Sequence, residues 1–377
     1  MKKIMCLGLS LCMVLCLGVS VFAAPNSMDN FKTTATYTDN FKDVPAEQWY
    51  AAPVKTCYEY GLMKGKSPTA FNPGGNLTVA EAIVMADRVH EIYTTGVSTL
   101  ENAKEGKWYQ TYVEYALTNG IVKDGDFANY NVKITRAEMA HIFYASLPAD
   151  ALPAINRIGT NDIPDVKNTA KYADEIRALY NAGVLTGSDP FGTFHPDDNI
   201  KRSEAATIIS RVAIVGERKD FAPLVRKDSG DGLVLALPAN TREDASVPGV
   251  LMYQDVAGGV AAILGEAVDE SYRGISIGVL PPDALNDAIV ASMQISGLEL
   301  KDANSTPVSF GSVKAYRTTG YFATDEFGKS PAVIYSYITG NRLKLVCLID
   351  YAGQNPALLK EMANWLTVDA GTVSPKL

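Results

Sequence analysis

Cysteine and histidine are scarce in this chain of 377 residues, which has five of the first and three of the second. Cys6, Cys12 and Cys16 lie near the start, leaving Cys57 and Cys347 far apart in the sequence. Such a pair reads as two buried small apolar side chains rather than a disulfide framework, so the core must hold the fold together. The histidines, His90, His141 and His195, have no partner at a metal-ligand spacing such as HExxH, and neither a metal nor another cofactor is expected. His90 and His141 fall within predicted helices and read as packed or surface residues. The chain also lacks a GxSxG elbow and a Walker-type phosphate loop. Basic residues are in deficit, 34 Lys and Arg against 42 Asp and Glu, for a formal charge of −8. That balance argues against nucleic acid or an anionic membrane surface as a general partner.

What the chain does have begins with Met1-Lys2-Lys3, an uncharged apolar run from Ile4 to Phe22, and the small residues Ala23 and Ala24 before Pro25. A basic start, an apolar stretch and small residues predict a secretory signal peptide over residues 1–23, cut after Ala23. The run is of borderline length for a membrane span, and no basic stop-transfer signal follows it. The expected mature protein is therefore exported and carries no membrane span. Loss of Lys2 and Lys3 takes the formal charge from −8 to −10. The remaining ~350 residues suffice for two or more domains.

Self-similarity organises the first half. Leu77-Thr78-Val79-Ala80-Glu81, Ile134-Thr135-Arg136-Ala137-Glu138 and Ile200-Lys201-Arg202-Ser203-Glu204 are versions of one helix start. Thr78 and Thr135 can accept a backbone N–H bond. Glu81, Glu138 and Glu204 can each reach back to the capping residue's N–H, so all five read as structural caps. Upstream, Trp49, Trp108 and Lys171 each lead by twelve residues to Gly61, Gly120 and Gly183. Each glycine suits a left-handed helix stop, and an apolar pair follows it. Between the helices lie turn-rich loops, Phe71-Asn72-Pro73 in the first unit and Phe194-His195-Pro196 in the third. Each unit is a helix–loop–helix too small to bury its own apolar face, and three together can share a core.

Phe41-Lys42-Asp43-Val44, Trp49, Gly61, the FNP and FHP loops and ITRAE together resemble the S-layer homology (SLH) domain over about residues 40–215. The resemblance implies three tandem repeats forming an all-α pseudo-threefold spindle. It also implies non-covalent binding of a secondary cell-wall polymer, often through a pyruvylated sugar. By the same resemblance the ligand contacts are the arginines Arg136 and Arg202, the aspartates Asp43 and Asp165, and the tryptophans Trp49 and Trp108. A guanidinium at a helix start, beside unpaired N–H groups, could hold a carboxylate. The tryptophans could stack on a sugar or pack in the core, and the aspartates could hold loop N–H groups, hold sugar hydroxyls or simply form turns. Val79 stands where the first unit should have arginine, and Lys171 where the third should have tryptophan, so at most two competent grooves are expected.

Past Arg211 the repeat stops, and Gly216 to Asp220 reads as a polar linker. Strands are predicted over Leu233 to Leu237, Val250 to Tyr253, Gly274 to Leu280, Val313 to Arg317, Ala332 to Ile338 and Arg342 to Ile349, with a hairpin turn at Gly340-Asn341. Helices are predicted from Pro282 to Ile295 and from Pro356 to Trp365. An α+β domain with an antiparallel sheet follows, its element order resembling the PsbP-like fold. The DSGDG run at Asp228 lacks the glutamate of a calcium loop and reads as a turn. Asp325 and Glu326 form a carboxylate pair without a second member.

The whole is expected to be multidomain: signal peptide 1–23, linker 24–38, repeats at 39–95, 96–150 and 158–218, and an α+β domain at 228–377. The functional expectation is a secreted wall-bound surface protein whose outer half binds other surface proteins. The alternatives are a wall-tethered hydrolase, or a peptidoglycan tether in a diderm envelope.

Overall fold

The computed structural model describes residues 26–229, 232–246, 248–256, 258–279, 281, 300–324 and 328–368. The predicted signal peptide, the helix expected from Pro282 to Ile295, Gly230 and Asp231 of the DSGDG run, and the Asp325–Glu326 pair lie outside the described residues. The chain divides into two compact units. One comprises Met1–Lys133, Ala145–Ala151 and Lys201–Glu217; the other comprises Ile134–Tyr144, Leu152–Ile200 and Arg218–Leu377.

Each repeat supplies two helices: α1 (Ala51–Glu59) and α2 (Val79–Thr95), α3 (Gln110–Thr118) and α4 (Arg136–Ala145), α5 (Ala173–Asn181) and α6 (Arg202–Ala213). The first helix of every pair stops the same way. Gly61, Gly120 and Gly183 take φ of 69°, 71° and 72°, a left-handed conformation that is cheap only for glycine. The next residue then turns its N–H back onto the helix: Leu62 to Cys57 O at 2.8 Å, Ile121 to Ala116 O at 2.9 Å, Val184 to Leu179 O at 2.9 Å. This closure satisfies the last carbonyls and buries the apolar residue that follows the glycine.

In the first unit, Val54, Leu62, Phe71, Leu77, Ile83 and Ile121 form the core; in the second, Ile134, Met139, Phe143, Ile176, Tyr180 and Phe194 do so beneath α4 and α5. Helix α2 is buried on nearly every face, Asp87 and Glu91 included. Cys57 and Cys347 are both buried and free.

The second unit also holds two antiparallel sheets. Strands β1 (Leu224–Asp228), β2 (Leu233–Pro238) and β10 (Thr367–Val368) form one, in the order β1-β2-β10. The other contains β3 (Arg242–Asp244), β4 (Val250–Asp255), β5 (Val260–Val268), β6 (Leu300–Phe310), β7 (Val313–Thr324), β8 (Gly328–Thr339) and β9 (Arg342–Asp350), in the order β3-β4-β5-β9-β8-β7-β6. Period-two alternation splits its side chains between two apolar layers. Leu348, Val346 and Tyr335 face α7 (Pro356–Asn364), whose Leu359 and Met362 join that layer; Cys347, Ile349 and Ile334 line the other. Asp350 accepts the N–H groups of Gln354 and Asn355 at 3.2 and 2.7 Å, fixing the turn into α7. The described chain is thus a multidomain α+β protein: helical repeats, then antiparallel sheets.

Three sequence expectations change. The described part of the strand expected from Gly274 to Leu280 is not a strand: Gly274 turns the chain at φ 79°, and Ile277–Val279 is a short 3-10 turn whose Ile277 plugs the sheet. The segment read as a linker is fastened from Lys219 onward, because Lys219 N–H donates to Gly183 O at 2.9 Å and Asn156 holds both Lys219 O and Phe221 N. Strands β1, β3, β5, β6 and β10 are not among those expected from the sequence. β5 is interrupted by three alanines, a glycine and a glutamate, and β6 is an exposed polar edge containing Pro307, so the β signal of each is diluted.

Candidate functional site

The inter-helix loops of the first and third repeats are built alike. Asp43 accepts the N–H groups of Phe71 and Asn72 at 2.8 and 2.7 Å, and Asp165 accepts those of Phe194 and His195 at 2.9 and 2.6 Å. Asn72 and His195 take left-handed φ of 61° and 58°, which brings two successive N–H groups onto one carboxylate. Of the readings open for these aspartates, the structure places both on loop N–H groups.

The second helices start at reciprocal caps. Glu81 accepts Thr78 N–H at 3.0 Å and Glu138 accepts Thr135 N–H at 2.8 Å, with return bonds to the threonine hydroxyls. Glu204 accepts Lys201 N–H at 2.8 Å, but lysine has no acceptor to return.

The helix starts, expected to offer unpaired N–H groups to an anion, do not stand open. Arg202 N–H donates to Gly75 O and Ser203 N–H to Pro73 O, at 2.8 and 3.0 Å. Arg136 N–H donates to Asp198 O and Ala137 N–H to Pro196 O, at 2.9 and 3.0 Å. At α2, Val79 N–H reaches Val132 O and Ala80 N–H reaches Tyr130 O. Each helix start thus docks on the loop of another repeat and satisfies its orphan donors there. The guanidiniums extend the same dock. Arg202 Nε and Nη2 donate to Phe71 O and Lys64 O, both at 2.8 Å, with the group 4.7 Å from the Phe71 ring. Arg136 Nε donates to Phe194 O at 2.7 Å, 5.1 Å from the Phe194 ring. Val79, which lacks such a group, is fully buried.

Within the first unit a groove of about 520 Å³ gathers residues from all three repeats. The first repeat contributes Lys64, Lys66, Glu81 and Arg88, the second Trp108 and Tyr112, and the third Arg202. Gly65 lies in its wall, and a Cβ there would meet the Phe41 ring at 2.4 Å and Ser67 O at 2.5 Å, so only glycine fits. Lys66 is ion-paired with Glu81. Burial opposes the Glu81 charge, but the Lys66 ammonium and Thr78 N–H outweigh it and hold the carboxyl below its usual range. Burial pulls both guanidiniums below the ordinary arginine value; Glu81 and Asp43 oppose this at Arg202, and the Tyr112 hydroxyl opposes it at Arg88. Such a site can take an anion through charge-assisted donors and a sugar face through the indole.

Neither Trp49 nor Trp108 is a core residue: they are 62% and 40% exposed, each edge-on to the tyrosine that follows it. Trp108 and Arg202 meet in the groove, whereas Trp49 does not line it. In the third repeat, Lys171 stands over the Tyr172 ring instead. Sequence reading missed Lys64, Lys66, Arg88 and Tyr112. Lys64 directly follows the apolar pair after Gly61, and Arg88 lies seven residues past Glu81 on one helix face, a spacing that could have flagged it. His90 Nδ1 pairs with the Tyr115 hydroxyl at 2.8 Å, and His141 stacks on Tyr172.

Residues 40–83 and 162–206 match the S-layer homology domain. The chain is 33% identical over 184 residues to the surface-layer 125 kDa protein of Lysinibacillus sphaericus, covering 47% of this chain and 16% of that one. It is 28% identical over 176 residues to an amylopullulanase of Thermoanaerobacterium thermosulfurigenes, covering 46% of this chain and 9% of that one. The chain thus spans about a sixth of the first relative's length and less of the second's. A solution structure of cyanobacterial PsbP from Synechocystis aligns with 40% of this chain and 94% of its own, at 13% identity and a TM-score of 0.32, too low to carry an argument. The chain carries S-layer homology domains and is a cell-surface, wall-associated protein. Among the described residues, no helix is long and apolar enough to cross a membrane.

Proposed function

We propose that this protein is exported and held non-covalently at the cell wall by S-layer homology repeats at 39–95, 96–150 and 158–218, which bind an anionic secondary polymer through a pyruvylated sugar. The observation that carries this reading is the groove in which the half-exposed Trp108 indole meets Arg202, Lys64 and Arg88. The indole takes the apolar face of a sugar and the cations take its carboxylate. Docks within each unit support repeats that pack on one another's loops: in one unit α2 onto the second repeat's loop and α6 onto the first's, in the other α4 onto the third's. The domain at 228–377 is displayed outward as a binding module for other surface proteins.

Co-sedimentation of the full chain with purified walls tests the reading. Retention is expected on intact walls and is lost once acid strips the secondary polymer. Retention on stripped walls would move the ligand to peptidoglycan, as in a diderm envelope. A second reading, a wall-tethered hydrolase, draws on the catalytic name of the amylopullulanase relative. New reducing ends released from wall glycan by the full chain would favour it.

A further inference from the structure

The groove holds more positive charge than one carboxylate needs. Lys64, Lys66, Arg88 and Arg202 line it against only Glu81 and Glu101, and Lys66 is already matched to Glu81. Arg88 lies seven residues past Glu81, where the third repeat has Arg211 past Glu204 and the second has Ala145. It sits on α2 next to Asp87, yet Asp87 is fully buried and neither of its carboxyl oxygens has a hydrogen-bond partner. Burial first, and then the nearby Glu91, push the Asp87 pKa up to about 8, so at neutral pH it is protonated and leaves the Arg88 charge to the groove.

The two guanidiniums hold one segment of backbone. Arg88 Nη1 donates to Leu62 O at 3.2 Å, and Arg202 Nη2 donates to Lys64 O at 2.8 Å. Carbonyls two residues apart belong to Cα atoms at most about 7 Å apart, so one substituted sugar residue can reach both cations. Arg202 is buried and Arg88 partly so, so an anionic group meets each guanidinium with little water to compete, and a ligand with two negative groups can use both.

Resting on the wall-polymer reading above, we infer that the groove binds a glycan unit bearing two acidic groups, one held by Arg202 and the other by Arg88, with its sugar ring against Trp108. Both groups can be carboxylates, or one can be a phosphate, since a guanidinium fork fits either.

The test is calorimetric titration of the full chain with glucuronic acid 1-phosphate, which carries both kinds of acid, alongside glucuronic acid and glucose 1-phosphate, which carry one each. The doubly acidic sugar is expected to bind at least tenfold more tightly than either single acid. Arg88→Gln should shrink that advantage to about twofold, and Arg88→Lys should restore part of it. An unchanged thermal melt shows that the variants fold, and Arg88→Lys carries the test if Arg88→Gln does not. Equal affinity for all three sugars, or an advantage that survives Arg88→Gln, overturns the second contact but leaves wall retention intact. Loss of wall retention in the parent chain instead sinks the wall-polymer reading itself.

Discussion

Arg202 and Arg136 occupy the same place in the repeat and make the same first contacts: a backbone N–H to a loop carbonyl, Nε to a phenylalanine carbonyl, and the guanidinium over that phenylalanine's ring. They differ in what lies beyond. Arg202 also holds Lys64 O and lines a groove with an indole and three further cations. The arginine of this motif is in both places a fastener between repeats, and at Arg202 it also lines a groove. At the third such position, Val79 makes the backbone dock without the side chain.

The comparison is broken most forcefully by removing the fasteners. Arg202→Ala leaves the carbonyls of Phe71 and Lys64 without their donors, and a loss of ~3 kcal/mol in urea unfolding is expected. Arg136→Ala removes the donor to Phe194 O and should cost ~2 kcal/mol or more, and should lower wall retention less than Arg202→Ala does. Equal losses of stability and retention would mean that the groove adds nothing to Arg202.

A second effect separates α2 from α4 and α6. Where they have Tyr144 and Ser210, α2 buries Asp87, with Glu91 and Arg88 beside it and Tyr115 from α3 in its field. Its folded pKa of about 8 lies above the unfolded value, so the folded state keeps a proton that the unfolded chain loses. Stability from this group is full below the unfolded carboxyl pKa, falls as pH rises through neutrality, and is gone above pH ~8. Asp87→Asn should flatten that decline and gain on the order of 3 kcal/mol at high pH relative to the parent. Parallel pH–stability curves for the two proteins would refute the assignment.

The paired loop aspartates should behave alike. Asp43→Asn and Asp165→Asn each replace a carboxylate that accepts two N–H groups by an amide that can accept only on its oxygen side, a loss of ~1–2 kcal/mol. A clear difference between them in thermal melts would show that the two loops are not equivalent. The smallest effect on stability is expected at the tryptophans. Trp108→Ala and Trp49→Ala should both stay within ~0.5 kcal/mol of the parent, yet Trp108→Ala should weaken wall binding roughly tenfold. Equal binding losses from the two would place a second ligand contact at Trp49.

Much of the helical half was legible because its signals are local. Gly61, Gly120 and Gly183 announce a left-handed stop, and Thr78 with Glu81 or Thr135 with Glu138 announces a start, since those groups satisfy backbone donors and acceptors within a few residues. The hairpin at Gly340-Asn341 and the start of α7 at Pro356 were readable for the same reason. β5 and β6 were not, because their pairing is set by partners distant in the chain and their composition carries little preference.

The sequence alone therefore determined the repeat, its helix boundaries and which residue types recur at which offset, because backbone capping acts over short range. Only the tertiary structure decided what those residues face. It spent the helix-start N–H groups of Arg136 and Arg202 on neighbouring loops, buried the Asp87 carboxyl without a hydrogen-bond partner, and brought Lys64, Arg88, Trp108 and Arg202 to one groove. Packing between repeats makes those assignments, and the offset between two residues along the chain does not say which neighbour each will meet.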